Sequence, residues 1–314
     1  MRAITQRALH LFAVLVVATF ATFSLVDLIP GDAAEIVAGE GATEDQVDAV
    51  RERLGLNQPM LVRYGAWILN VLQGDLGRSY VTNQSVADTL LARFPVSLEI
   101  ALVSQAIALA IAIPWALYSA YRENGWFDRI GGVLGFGGLA TPSFVLGLVL
   151  IYIFAGGVLS IFPATGYVSF DEDPLRNLWS IALPVMCLVP AEAAVYRQVL
   201  RSDAISTLRE NFVLMAKSKG LPPGQVLRGH VLRPSSLSLI TIAGVSIGGV
   251  IGGTVIVETM FAVPGMGALL AQSVNERDFM MLQGALLVIC VVYVVVNLLV
   301  DVGYILLDPR ARNS

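Results

Sequence analysis

Six long apolar runs constrain this chain more than any other feature of its sequence. They cover residues 8–29, 96–118, 130–159, 181–196, 237–257 and 281–307. A helix needs about 20 apolar residues to cross the hydrocarbon core of a bilayer, and most of the runs are of that order. Hydrophobic residues make up 56% of the chain and charged residues only 14%, against about 25% charged in soluble domains. The sequence therefore predicts an all-α integral membrane protein with about six transmembrane helices.

The first run has the charge pattern of a signal peptide, because Arg2 and Arg7 precede it. The apolar part of a signal peptide usually has about 7–15 residues, whereas residues 8–29 are long enough to span a bilayer. We therefore predict that residues 1–29 form an N-terminal tail and an uncleaved first transmembrane helix.

Residues 30–95 are polar and acidic. Thr43, followed by two acidic residues, is typical of a capped helix, which we expect to run to Leu54 and stop at Gly55. Apolar residues at helical spacing predict another helix over residues 59–73, with Trp67 as an anchor near the membrane interface. We expect residues 30–95 to form a small extracytoplasmic helical subdomain.

The basic residues predict the orientation in the membrane, because cytoplasmic loops carry an excess of Lys and Arg. A cytoplasmic N-terminus places most of them inside, and several of the rest fall in the long segment 30–95, where the rule weakens. The residues then inside are Arg2, Arg7, Arg122, Arg129, Arg197, Arg201, Arg209, Lys217, Lys219, Arg228, Arg233, Arg310 and Arg312. Both termini are therefore predicted to be cytoplasmic.

A long polar insert, residues 208–235, interrupts the apolar second half of the chain and carries both lysines. Residues 209–219 predict a short helix, with Phe212, Met215 and Ala216 on roughly one face. Lys217 and its neighbour Lys219 fall in the last turn, where they complement the helix dipole.

The same insert contains signals that end helices. Gly220 is expected to stop the first helix, with Pro222 and Pro223 preventing its continuation. A second short helix is predicted over residues 225–232, ending before Pro234. The insert is either a basic loop that only fixes orientation, or a pair of helices that docks a partner at the membrane surface.

The fifth apolar run is dense in glycine at a spacing of four residues. Gly244, Gly248 and Gly252 form one such series, and Gly249 and Gly253 form another. This spacing lets helix backbones approach closely. The partner is either another helix of the same subunit or a second subunit across a translocation path.

Several function classes find no support in the motifs. The chain has no G-x-x-x-x-G-K-[ST] phosphate loop, which excludes a P-loop ATPase. Its histidines, His10 and His230, lie far apart without neighbouring catalytic partners, which argues against an intramembrane enzyme. Cys187 and Cys290 lie within apolar runs and are interpreted as small buried hydrophobic residues, so no metal site is expected.

Acidic residues in or beside membrane runs are costly and are candidates for function. Glu99 and Glu192 lie near predicted helix ends, where they reach water, and Asp301 has Arg310 or Arg312 as a partner. For Glu258, a structural role and a functional role remain equally open.

Stretches along the whole chain resemble the permeases of ABC importers for oligopeptides, dipeptides and nickel, in their first-permease subunit. They are LIPGDAA (28–34), LGLNQPMLVRYGAWILNVLQGDLGRSY (54–80), ATPSFVLGLVLIYIFA (140–155), FPATGY (162–167), VIVETMFAVPGMG (255–267) and DVGYILLDPRAR (301–312). Segment 208–235 is similar to the ATPase-coupling loop of these permeases, whose pattern is Glu-Ala-Ala, three residues, then Gly. Here the Glu and the first Ala are absent.

The resemblance implies the fold of a type I ABC importer permease, with residues 96–314 as the permease core. It assigns ATPase coupling to Leu214, Met215, Ala216, Lys217, Gly220 and Leu221. The VIVETMFAVPGMG stretch implies an outer gate or translocation path at Glu258, Pro264, Gly265 and Gly267. Helix packing at Gly244, Gly248 and Gly252 is predicted from their spacing.

The resemblance also implies partners. They are a homologous second permease, two cytoplasmic ATPases that bind ATP and Mg²⁺, and an extracytoplasmic substrate-binding protein. The chain would then be a transport subunit and not an enzyme, in a bacterial or archaeal cell membrane. Di- and oligopeptides are the expected cargo, with nickel chelates, glutathione-like peptides or haem as alternatives. A secondary transporter is a weaker alternative, because the sequence shows no convincing internal repeat and leaves segment 208–235 unexplained.

Overall fold

The structure is a computed structural model that describes residues 12–24, 33–39, 41–53 and 55–307. These residues are mostly helical, and their β-structure amounts to one isolated bridge between Arg78 and Ser85. The all-α prediction is confirmed, as expected for a chain whose backbone polar groups must be satisfied within a bilayer.

Fourteen α-helices occur within the described residues, and two π-helical turns, Tyr152–Gly157 and Val226–Val231, interrupt them. In chain order the α-helices are α1 Phe12–Ser24, α2 Ala33–Ala38, α3 Glu44–Arg53, α4 Met60–Leu72, α5 Val86–Tyr121, α6 Trp126–Ala140, α7 Ser143–Ile151, α8 Pro174–Leu208, α9 Asn211–Ser218, α10 Pro223–Gln225, α11 Leu232–Gly253, α12 Val255–Met260, α13 Met266–Asn275 and α14 Phe279–Leu307.

Four of the described helices are long and apolar enough to cross a membrane. They are Val86–Tyr121, Pro174–Leu208, Pro223–Gly253 and Phe279–Val300. They coincide with four of the six predicted runs. Val86–Tyr121 and Pro174–Leu208 extend beyond their runs at both ends, since polar turns continue the apolar helices.

The third predicted run, residues 130–159, is a pair of apolar helices with a sharp bend between them. α6 and the helix that starts at Ser143 are bent by 97°. Pro142 causes the break, because it disfavours helical backbone in the residue before it, and Thr141 is extended at φ −86° and ψ 115°. The predicted kink at Pro142 is therefore confirmed.

The first predicted run is described only in part. α1 covers Phe12–Ser24 and is apolar but short for a span. Residues 8–11 and 25–29 lie outside the described residues, so a transmembrane span in the first run remains a prediction.

The chain divides into two compact units. Unit 1 consists of Met1–Val96 with Pro264–Val294, and unit 2 of Ser97–Val263 with Val295–Ser314. One apolar cluster of unit 1 joins Val86 and Leu90 to residues of α13 and α14, and another joins Phe23, Trp67 and Leu287. Residues 30–95 thus share a core with residues after 263, which sequence distance does not reveal.

The two helices predicted in residues 30–95 are confirmed as α3 and α4. Gly55 ends α3 with φ +64°, a left-handed conformation that favours glycine. The prediction that Trp67 anchors α4 at the membrane interface is wrong. Its ring is buried against Phe23, at 5.7 Å between ring centroids.

Unit 2 is built around α8, against which α6, α7 and α11 pack. Asp173 caps α8, since its carboxylate accepts hydrogen bonds from the backbone of Leu175 and Arg176, both at 3.1 Å. Pro184 and Pro190 lie inside α8 without ending it. The helix therefore extends well beyond the predicted run 181–196.

Candidate coupling and gating sites

Helix α9 is held on unit 2 by a narrow apolar face. Val213 and Ala216, three residues apart, are both buried, and Val213 belongs to an apolar cluster with residues of α5, α8 and the π turn. The other buried members are Leu117, Ala120, Ala204, Leu208, Val226 and Val231. The predicted apolar face is therefore partly wrong, because Ala216 packs inward whereas Phe212 and Met215 do not.

The opposite side of α9 displays apolar side chains. Phe212, Leu214 and Met215 are 45%, 48% and 62% exposed. Of the remaining residues assigned to coupling, Lys217 and Gly220 are exposed, whereas Leu221 is half-buried and packs on the α9 cluster. A short helix with apolar side chains pointing outward is suited to fill a groove on a partner.

Gly220 ends α9 in a left-handed cap. Its φ is +76°, the amide of Gly220 donates to the Lys217 carbonyl at 3.0 Å, and the amide of Leu221 donates to the Ala216 carbonyl at 3.4 Å. These bonds satisfy two carbonyls that the helix end would leave open. The prediction that Gly220 stops the helix is confirmed.

The second helix of the insert is present, but its predicted end before Pro234 is wrong. The helix runs from Pro223 to Gly253 through one π-helical turn, so Pro234 lies inside a long helix. The π-helical turn Val226–Val231 comes directly before the turn that holds Pro234. This wider turn loosens the hydrogen-bond ladder where a proline lacks its donor and crowds the preceding carbonyls.

Polar contacts of Arg209 and Lys217 attach the region of α9 to residues at and just after the end of α5. Arg209 forms an ion pair with Glu123 at 3.1 Å, and the Lys217 ammonium lies 5.7 Å from the centre of the Tyr121 ring. These contacts hold α9 beside the end of α5. The exposed apolar residues of α9 therefore lie on a helix whose position is fixed.

Glu258 lies in the interior of unit 2, in the short helix α12. Its side chain is fully buried, and its Oε1 accepts hydrogen bonds from the hydroxyls of Ser97 and Thr254, both at 2.7 Å. Ser97 and Thr254 are also fully buried. The three residues, defined here as the Glu258 cluster, connect α5 to the junction of α11 and α12.

The turn after Glu258 repeats the geometry seen at Gly220, but with alanine. Ala262 has φ +50°, the amide of Ala262 donates to the Thr259 carbonyl at 3.3 Å, and the amide of Val263 donates to the Glu258 carbonyl at 2.8 Å. A left-handed conformation is strained for a residue with a Cβ. The backbone around Glu258 is therefore held in place by its surroundings.

The other residues assigned to the gate belong to unit 1. Gly265 precedes α13 with extended backbone at φ −99°, and Gly267 is buried within that helix. Pro264 is the first residue of the second segment of unit 1. The assignment of Glu258, Pro264, Gly265 and Gly267 to a gate remains a prediction.

Sequence stretches far apart in the chain meet beside α12. The amide of Gly166, in FPATGY, donates to the carbonyl of Phe261 at 2.9 Å. The Tyr167 hydroxyl donates to Glu99 Oε2 at 2.7 Å. Burial, reinforced by the Glu99 carboxylate, raises the pKa of Tyr167 above its usual value, so the hydroxyl keeps its proton and remains a donor. Glu99 therefore anchors the FPATGY turn.

Comparison with known proteins supports the membrane architecture. Residues 112–313 match the family model of the binding-protein-dependent transport system inner membrane component, and residues 1–101 match the N-terminal model of such membrane components. The chain belongs to this permease family. A putative peptide transport system permease protein of Brucella abortus is 35% identical over 98% of both chains.

Two further relatives carry more specific names. A dipeptide transport system permease protein of Alkalihalophilus pseudofirmus is 30% identical, over 98% of both chains. A glutathione transport system permease protein of Salmonella choleraesuis is 32% identical, also over 98% of both chains. This permease is thus similar to its relatives from end to end, as a multi-pass membrane transport subunit.

The glycines of α11 in this permease lie on two different faces. A Cβ on Gly244 would lie 1.8 Å from Val300 Cγ2, so Gly244 packs within unit 2, and Gly248 is buried as well. A Cβ on Gly249 or Gly253 would meet nothing within 4 Å. For Gly244 the contact seen is with the same subunit, whereas the side with Gly249 is open.

A buried ion cluster lies between α6 and α8 and was not predicted from the sequence. Asp128 accepts two hydrogen bonds from Arg201, at 2.5 and 2.6 Å, and lies 3.1 Å from Arg197 Nη2. Arg197 and Arg201 are predicted only as orientation signals. Gly131 leaves the space that the Arg197 guanidinium occupies, since a Cβ there would lie 2.4 Å from it. The spacing of Arg197 and Arg201 by one helical turn is the signal that points to a shared partner.

Proposed function

We propose that this chain is the membrane-spanning permease subunit of an ATP-driven importer of di- and oligopeptides. The observation that carries the proposal is the similarity over 98% of the chain to a putative peptide permease and to a dipeptide permease. The glutathione permease among the relatives also moves a peptide, so a glutathione-like cargo is the second candidate.

In this proposal the chain works with a second permease, two ATPases and an extracytoplasmic binding protein. ATP and Mg²⁺ bind to the ATPases, and this chain carries out no hydrolysis. α9 is the coupling element, because it is a short supported helix that displays Phe212, Leu214 and Met215. Movement of the ATPases shifts α9, and the rigid helices that pack on it transmit the shift across the membrane.

Uptake by the reconstituted complex tests the proposal directly. Vesicles that contain the complete complex and ATP are expected to accumulate labelled alanyl-alanine, and to do so only with the binding protein present. Absence of peptide accumulation in a complex that hydrolyses ATP would overturn the peptide assignment.

Cross-linking tests the role of α9 with a matched pair of cysteines. Met215→Cys is expected to form a disulfide with a cysteine placed in the ATPase groove, because Met215 is 62% exposed. Ala216→Cys is the control, because Ala216 is only 5% exposed and should not react. Equal cross-linking at both positions, or at neither, would contradict α9 as the docking helix.

The proposal places the protein in the inner membrane with both termini and segment 208–235 in the cytoplasm. Asp45→Cys in α3 is expected to react with an impermeant thiol reagent only from the outer side. Reaction from the cytoplasmic side alone would show that the orientation is inverted.

A further inference from the structure

A groove of about 470 Å³ lies between α8 and α11 in unit 2. Apolar side chains such as Leu188 and Val245 form most of its wall, and the polar groups include Glu192 and Ser246. Gly249 also lines it and faces open space, since a Cβ there would meet nothing within 4 Å. The absence of a side chain leaves room for a ligand beside the α11 backbone.

Hydrogen bonds from the protein interior hold the Glu192 carboxylate in this groove. The Tyr196 hydroxyl, which is fully buried, lies 2.5 Å from Glu192 Oε2 and 2.7 Å from Gln105 Oε1. Gln105 Nε2 in turn donates to the Ala243 carbonyl of α11 at 2.6 Å. This chain of hydrogen bonds joins α5, α8 and α11 and fixes the position of the carboxylate.

Glu192 has no cationic partner among the residues that the structure describes. The described ion pairs of unit 2 involve Asp128, Asp173 and Glu123 instead. A carboxylate beside apolar walls loses hydration, and this loss is offset only when a cation or hydrogen-bond donors reach it. The groove therefore has the charge and shape to accept a cationic group from outside the chain.

We propose that this groove binds the amino-terminal ammonium group of a peptide on its way through the permease, with Glu192 as the counter-charge. The inference rests on the proposed peptide cargo and adds the residue that recognises it. Ser246 supplies a hydroxyl oxygen that also accepts from an ammonium group, which has three donors. A metal ion suits the groove less well, since no group of three or more metal-binding side chains occurs among the described residues.

Thiol protection tests the occupancy of the groove. Gly249→Cys, in a complex whose Cys187 and Cys290 are changed to Ala, presents a thiol in the groove. During ATP turnover with the binding protein, alanyl-alanine is expected to slow its reaction with N-ethylmaleimide several-fold. Adding Glu192→Gln should abolish most of that protection. Protection that is absent, or unchanged by Glu192→Gln, would overturn the inference.

Uptake measurements on two Glu192 variants separate the effect of the carboxylate charge from that of the side-chain shape. Glu192→Gln keeps an oxygen that accepts from Tyr196, so the fold is expected to survive, with the thermal midpoint as the check. Its uptake of alanyl-alanine is expected to fall about tenfold, which corresponds to about 1.4 kcal/mol, whereas Glu192→Asp retains most of it. Glu99→Gln is the control, because it removes a carboxylate that anchors the FPATGY turn outside the groove.

The outcomes distinguish the two levels of the proposal. A wild-type complex that takes up no alanyl-alanine overturns the peptide cargo, and the ammonium site with it. A wild-type complex that takes it up, with Glu192→Gln equally active, leaves the proposed function intact and overturns only the ammonium site.

Discussion

Segment 208–235 and the Glu258 cluster both lie in unit 2, yet their side chains are satisfied in opposite ways. α9 buries Val213 and Ala216 and leaves Phe212, Leu214 and Met215 exposed. The Glu258 cluster is buried, and its hydroxyls and carboxylate bind each other. The first region leaves apolar side chains exposed, whereas the polar groups of the second are hydrogen-bonded within the subunit.

The helix caps of the two regions have the same backbone geometry but different residues. Gly220 and Ala262 both follow a short helix with positive φ, at +76° and +50°. Glycine adopts this conformation freely, so the exposed cap needs no support. Alanine adopts it at a cost of about 1–2 kcal/mol, so the cap at Ala262 depends on the packing of its buried neighbours Phe261 and Val263.

The largest expected effect comes from removing the Glu258 carboxylate. Glu258→Ala leaves the hydroxyls of Ser97 and Thr254 without that acceptor and opens a cavity, so we expect the free energy of unfolding to fall by about 3 kcal/mol. Thermal unfolding of the purified subunit in detergent measures it. A loss below about 1 kcal/mol would show that the cluster is not important for stability. Glu258→Gln keeps an acceptor and is expected to affect uptake more than assembly.

Gly220→Val is expected to have the next largest effect. Space is not limiting, because a Cβ at Gly220 would meet nothing within 4 Å. The left-handed backbone alone should cost about 2 kcal/mol for a β-branched residue and displace α9. We expect transport per ATP hydrolysed to fall at least tenfold, roughly 1.4 kcal/mol or more of lost coupling.

The matched control for Gly220→Val is Gly224→Val. Gly224 also faces open space, but its φ is not positive. The control complex is expected to keep its transport per ATP. Equal coupling in both variants would rule out the cap at Gly220 as a determinant of coupling.

Exchanging the cap residues tests the comparison with smaller changes of opposite sign. Gly220→Ala is expected to destabilise by about 1 kcal/mol. Ala262→Gly removes the strain but increases the entropy of the unfolded chain, so a gain of about 0.5 kcal/mol is expected. Thermal midpoints of the two variants provide the measurement. Changes of the same sign would mean that the caps do not differ in strain.

Met215→Ala is expected to have the smallest effect on stability, within about 0.5 kcal/mol, because its side chain is exposed. The same change should weaken ATPase docking, seen as lower recovery of the ATPase in pull-down of the complex. Val213→Ala is the buried control, expected to lower the thermal midpoint. Loss of stability in Met215→Ala would indicate that the displayed face is part of the subunit core.

Local sequence signals predicted where several helices end, but not the contacts between residues that are far apart in the chain. Gly220 ends α9 and Pro142 breaks the third run because both residues act on their own backbone. The end predicted before Pro234 is wrong, because a π-helical turn accommodates the proline. The Asp128–Arg201 pair went unrecognised, since its members are far apart in the chain and meet only when α6 packs on α8.

The sequence by itself determined the membrane class, the all-helical fold and the family, since apolar runs and motif order are readable along the chain. Tertiary structure alone decided which apolar residues of α9 face inward, that Glu258 is buried against Ser97, and that Glu192 lines a groove. The physical reason is that periodicity gives the angle of a side chain around its own helix. What that side chain meets depends on neighbouring helices that the sequence brings from far away.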